Sequence, residues 1–162
     1  MPDTARLPSA AYDDDFVAWS LDQAERLRAL AASGVNLPLD LPHLAEEIED
    51  LGKNVRNLCR NQVRRIIEHL LKLQCSPAAA PRNDWKASIV EARQELRDNL
   101  TATIERDLAD TLPTLFADAR RRAVLGMERH GEANAAKSMP RRCPWALDSI
   151  LRDDWYPEQP GE

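Results

Sequence analysis

The chain has 162 residues, of which 43% are hydrophobic and 30% charged, and its 27 acids against 22 bases give a net charge of −5. That length buries a real core without disulfides or metals, and that composition excludes a disordered chain. The acidic balance disfavours a non-specific nucleic-acid binder, and 5% aromatics with few Val-, Ile- or Thr-rich segments disfavours a sheet protein.

In chain order, residues 1–11 carry two prolines and small residues and read as a disordered N-terminus. They contain no apolar run of the kind a signal peptide needs. A first helix is predicted from Asp13–Asp15, where carboxylates suit exposed amides, with Phe16, Trp19, Leu27 and Leu30 as its buried face. Ser33-Gly34 ends it, Gly34 serving as a left-handed cap.

After the linker VNLPLDLP, Asp40 is predicted to cap one long helix over about residues 42–75. Leu44, Ile48, Leu51, Val55 and Leu58 follow at steps of 4, 3, 4 and 3, a narrow seam. Beyond Gln62 the stripe widens to Val63, Ile66, Ile67, Leu70, Leu71 and Leu73, so the second half is the deeply buried half. Gly52 is the weak point of this helix.

Pro77 to Pro81 is a break, and Asn83 is predicted to cap a third helix bearing Trp85, Ile89, Leu96 and Leu100. Residues 101–111 read as helical, Pro113 starts or kinks the next helix, and 126–142 reads as a polar loop. A short terminal helix, Pro144 to Leu151, is expected to dock through Trp145 and Ile150. The predicted architecture is all-α: a single-domain helical bundle over 12–156 with one long central helix, then a disordered tail over 157–162. Its predicted core includes Trp19, Leu51, Val55, Leu58, Ile66 and Leu70, with Trp85 and Trp145 on the same body.

The segments YDDDFVAW, HLAEEIEDLG, HLLKLQ and CPWALDSILRDDW occur in this order over nearly the whole chain. Together they resemble the bacterial domain of unknown function 29 family. Leu73 departs from the pattern, standing where that family often has Trp, and 126–142 has its own sequence. The resemblance implies an all-helical fold. It brings no activity, cofactor or catalytic residue.

Three groups of side chains are candidates for chemistry. His43, Glu46, Glu47 and Asp50 are metal-ligand types on one helix, but they point away from the leucine seam, whereas bundle metal ligands project inward. The plainer reading is an acidic, solvated helix start. Lys53, Arg56, Arg60 and Arg64 form a basic stripe that would track phosphates, although no aromatic or DNA-binding motif accompanies it. Cys143 follows Arg141-Arg142 at an expected helix start, a setting that favours thiolate. His69 lies roughly 33 Å from Glu47 along a continuous helix and reads as a half-buried core histidine.

Cys59, Cys75 and Cys143 form no CxxC pair, so neither a disulfide framework nor a structural zinc site is expected, and a reducing cytoplasm is the natural compartment. No run approaches a bilayer span, and no signature of a common enzyme class occurs. No cofactor is expected. The leading reading is an interaction module that binds another protein or itself. Glu46, Glu49 and Asp50 would meet Lys53, Arg56, Arg60 and Arg64 of a second, antiparallel helix in a homodimer. Metal binding at the acidic group and a nucleic-acid accessory role are the alternatives.

Overall fold

A computed structural model describes residues 10–159, and the chain there is helical, with no strand among the described residues. Seven helices follow in order: α1 (Ala10–Asp14), α2 (Phe16–Ala32), α3 (Leu41–Cys75), α4 (Arg82–Asn99), α5 (Ala102–Arg129), α6 (Ala133–Ala136) and α7 (Leu147–Leu151). The longest is α3, at 35 residues, and it starts after Asp40 as expected. Residues 1–9 and 160–162, on which most of the two expected disordered ends fall, lie outside the described residues; Ala10 and Ala11 stand in α1. The chain forms two compact units, one comprising Met1–Asn57 with Thr101–Glu105 and the other Leu58–Leu100 with Arg106–Glu162.

In the first unit Asp15 organises two helix starts. Its Oδ1 accepts from Ala18 N at 3.0 Å and caps α2, while its Oδ2 accepts from Thr103 N at 3.0 Å in the first turn of α5. One carboxylate therefore satisfies amides that neither helix can pair internally. Burial alone would raise the Asp15 pKa, but the hydrogen bonds from Ala18, Thr103 and Thr101 outweigh it and hold the group below the usual carboxylate value. Helix α2 ends at Ser33, and Gly34 takes a φ of 73°, the left-handed cap expected there.

The buried face of α2 differs from the expected one. Val17, Ser20 and Ala24 are buried, Phe16, Trp19 and Leu27 are half-buried, and Leu30 is 38% exposed. The large rings instead pack on one another: Tyr12 lies edge-on to Trp19 at 4.7 Å, and Phe16 stacks on Trp19 at 5.7 Å.

The same correction holds on the first half of α3. Leu51 is 52% exposed and Leu44 39%, whereas Leu41, Ala45 and Gly52 are buried. Small residues face inward because the helices approach closely. A Cβ on Gly52 would come within 3.2 Å of Ser20 Cβ, closer than side chains ordinarily pack.

The second unit holds the large apolar core. Val63, Ile66, Ile67, Leu70 and Leu71 are completely buried, and Leu73 nearly so, as the wide stripe predicts. Each such side chain contributes about 1.5–3 kcal/mol relative to leaving it in water. Ile89, Leu96, Leu108, Phe116 and Ile150 are buried in the same unit. Val55 and Leu58, placed in the core by their spacing, are half-buried, as are Trp85 and Trp145.

Four boundaries need correction. Pro81, not Asn83, precedes the first turn of α4, and no side chain caps it. Pro113 lies inside α5, which runs unbroken to Arg129. The expected loop at 126–142 contains the last turn of α5 and all of α6, and it buries Met127, Ala136 and Met139. The terminal helix is shorter than predicted, starting at Leu147.

A buried arginine fastens the C-terminal segment. Arg93 is 1% exposed and donates to the carbonyls of Ile150 at 2.9 Å, Asp153 at 2.9 Å and Trp155 at 3.0 Å. Its guanidinium also lies 5.4 Å from the centre of the Tyr156 ring. Gln159, within the expected tail, donates to Leu73 O at 3.2 Å.

Candidate functional site

Helix α3 carries most of the candidate residues, so its environment decides what they can do. Near its start, Asp40 Oδ2 lies 2.6 Å from His43 Nδ1, and Asp40 Oδ1 accepts from His43 N at 3.4 Å. The hydrogen bond to Asp40 raises the His43 pKa, and its reciprocal lowers that of Asp40. Glu46, Glu47 and Asp50 are exposed. Among the described residues no group of three or more His, Cys, Asp or Glu side chains is placed to hold a metal ion. His43, Glu46, Glu47 and Asp50 thus stay apart as potential ligands.

Glu49 is occupied on two sides. It pairs with Arg28 of α2, and its Oε1 lies 3.0 Å from Lys53 Nζ. Arg28 first, then Lys53, holds the Glu49 pKa below its usual value. Lys53 also reaches Asp50 at 3.1 Å.

Arg60 and Arg64 of the basic stripe are engaged within the second unit. Arg60 forms a two-pronged pair with Asp107 of α5, at 2.8 and 2.6 Å. Arg64 reaches Asp118 at 3.2 Å and Asn61 at 2.9 Å. Neighbouring Arg65 reaches Ser88 at 2.7 Å and Glu91 at 2.9 Å. Arg56 is half-buried, and its enclosed Nε has no hydrogen-bond partner among the described residues. Half of the stripe seen in sequence, Arg60 and Arg64, is held in tertiary ion pairs, because α5 presents acids to it.

Cys143 is half-buried, and its thiol donates to Trp145 O at 3.3 Å. Burial pushes its pKa up, which favours the thiol over the thiolate. It precedes α7 by four residues and so misses the helix-start setting expected of it. Cys59 is pushed higher still, to about 11, chiefly by burial.

Exposed apolar side chains gather in the first unit. Among the described residues, eight of the ten large hydrophobic side chains at the surface lie between Tyr12 and Leu51. Val35, Leu37 and Leu39 occupy the connection before α3, at 41–58% exposure, and Leu44 and Leu51 continue onto the helix. Contrary to the expectation for the acidic group, at roughly 100° per residue Glu47 shares one side of α3 with Leu44 and Leu51, Asp50 flanks them, and Lys53 falls on the opposite side. Sequence periodicity found these leucines and assigned them to the core. The signal that would have corrected it is the parallel series Ala45, Gly52, Cys59, seven apart, which marks the closely packed side.

These features define an all-helical domain whose first unit carries most of the exposed large apolar side chains among the described residues. The chain belongs to the family described as domain of unknown function DUF29, whose model matches residues 11–156. It is also similar to an α-helical protein of unknown function from Rhodospirillum rubrum, known from a crystal structure. That match has 28% sequence identity and a TM-score of 0.77, and it covers 89% of this chain and 90% of the other. Comparison with curated proteins finds no match. No helix among the described residues is long and apolar enough to cross a membrane.

Proposed function

We propose that the protein is an interaction module whose docking surface is the exposed apolar face of the first unit. The observation that carries this reading is the concentration of large hydrophobic side chains there, Leu37, Leu39, Leu44 and Leu51 among them. Exposed leucines scattered singly need no explanation, but eight of the ten exposed large hydrophobic side chains among the described residues falling in one unit is the concentration expected of a contact surface.

Charge complementarity favours the helix of another protein over a second copy. The segment His43–Leu51 has four acids and no Lys or Arg. Two copies paired through Leu44 and Leu51 would set Glu47 against an equally acidic surface. The bases that an antiparallel dimer would have used, Lys53, Arg60 and Arg64, are already paired within the chain. A partner helix with an apolar stripe flanked by Lys or Arg fits better, the apolar part giving affinity and the charges giving orientation and rate.

The test is a fluorescence titration of the full chain with two labelled amphipathic helices, one built from Leu and Lys and one from Leu and Glu. The Leu/Lys helix is expected to bind, more weakly as salt rises, and the Leu/Glu helix to bind at least about tenfold less tightly. Sedimentation at high concentration is expected to show a monomer. A concentration-dependent dimer would return the reading to self-association. Equal binding of the two helices, or binding of neither, would overturn the charge-selected surface.

A further inference from the structure

A cleft of about 380 Å³ opens in the second unit, lined from α3, the connection that follows it, α4 and the end of α5. That volume is in the range of small-molecule pockets. Pro81, Trp85 and Met127 supply apolar wall, Lys72 supplies a cation, and His130 and Glu132 are the cleft's other ionisable residues.

Lys72 is the distinctive member. Its side chain is only 14% exposed, and its ammonium lies 2.7 Å from Glu68 Oε1. An ammonium has three N–H bonds to place, and among the described residues Glu68 accepts one of them. Lys72 lines the cleft and Glu68 does not, and the one bond to Glu68 leaves two of the three N–H bonds without an acceptor among the described residues. Across from it stands Gly126, where a Cβ would come within 3.2 Å of both Cε and Nζ of Lys72. A glycine inside α5 has no local purpose, since any other residue but proline would serve the helix better. Its missing side chain leaves room for Lys72 to lie where it does.

We propose that this cleft binds a small organic monoanion with a flat apolar body. The anionic group accepts hydrogen bonds from Lys72 Nζ, and the body packs on Trp85 and Met127. Half-buried cation and aromatic wall together supply the few placed polar groups and the apolar lining that such sites use. Glu132 weighs against a second negative charge on the ligand.

The test uses 1-naphthoate and its uncharged counterpart 1-naphthylmethanol, titrated calorimetrically into the full chain. Naphthoate is expected to bind in a saturable way, at least about tenfold more tightly than the alcohol. Lys72→Met should abolish that preference. Gly126→Ala, which crowds Lys72 yet favours the helix, should weaken naphthoate while leaving the melting temperature unchanged or higher. That variant keeps the proposal falsifiable if Lys72→Met fails to fold. Binding no tighter than that of the alcohol, no binding at millimolar concentration, or full affinity in folded Gly126→Ala would overturn the proposal.

Discussion

A Cβ placed on Gly52 of α3 would stand 2.0 Å from the hydroxyl oxygen of Ser20 on α2. Ser20 is buried, and its hydroxyl donates to Val17 O at 2.8 Å, so it cannot turn away without losing a partner. Gly52 is a point of close approach between α2 and α3. Gly52→Ala should therefore destabilise the protein by about 1–3 kcal/mol through overpacking, although alanine suits a helix better by about 1 kcal/mol. In a Ser20→Ala background the cost should shrink, because the clashing oxygen is gone. Denaturant melts of the four proteins give the coupling, and additive effects would show that the two sites do not meet.

Two leucines on one helix should behave oppositely. Leu70 is completely buried and Leu51 is half exposed. Leu70→Ala should cost about 2–5 kcal/mol, and Leu51→Ala no more than about 0.5 kcal/mol. Equal losses in chemical denaturation would restore Leu51 to the core.

The Asp15 carboxylate should give the acid limb of stability a distinct contributor. Its pKa is lowered in the folded chain, so its stabilisation is present above the unfolded carboxylate pKa and is lost as pH falls through the folded one. Asp15→Ala should cost about 0.5–2 kcal/mol at neutral pH, as for other helix caps. The gap between variant and parent should narrow as the solution becomes strongly acidic. A gap independent of pH would mean that Asp15 acts through packing rather than charge.

Much of the fold was legible in the sequence, and the failures have physical causes. The second half of α3 was readable because six large apolar residues leave one choice of buried face. The first half was misread because leucines outweigh small residues in any hydrophobic pattern. Close packing at Gly52 selects Ala45 and Gly52 instead, and that depends on α2. Arg93 left no trace in periodicity, because its partners are main-chain carbonyls 57, 60 and 62 residues away. The acids that engage Arg60 and Arg64 are equally remote in sequence, so a tertiary ion-pair set reads as a free basic stripe. Met127, Ala136 and Met139 are too sparse to announce buried structure in a polar segment.

Removing Arg93 should loosen the C-terminal segment before the rest. Arg93→Met keeps an apolar stem but leaves the carbonyls of Ile150, Asp153 and Trp155 without their donor. The expected loss is at least about 3 kcal/mol, with Arg93→Lys recovering only part, because an ammonium lacks the planar fork. Hydrogen exchange should accelerate first over residues 147–156. Uniform acceleration throughout the second unit would show that Arg93 supports the whole core rather than this segment.

The most direct test of the proposed role is the affinity of the Leu/Lys helix for the double variant Leu44→Ser, Leu51→Ser, measured beside its melting temperature. Both leucines are exposed, so the variant should melt close to the parent. It should bind the helix at least about tenfold more weakly, because the two leucines that α3 gives to the surface are gone. An unchanged affinity in a folded variant would contradict the account and place any docking surface elsewhere on the chain.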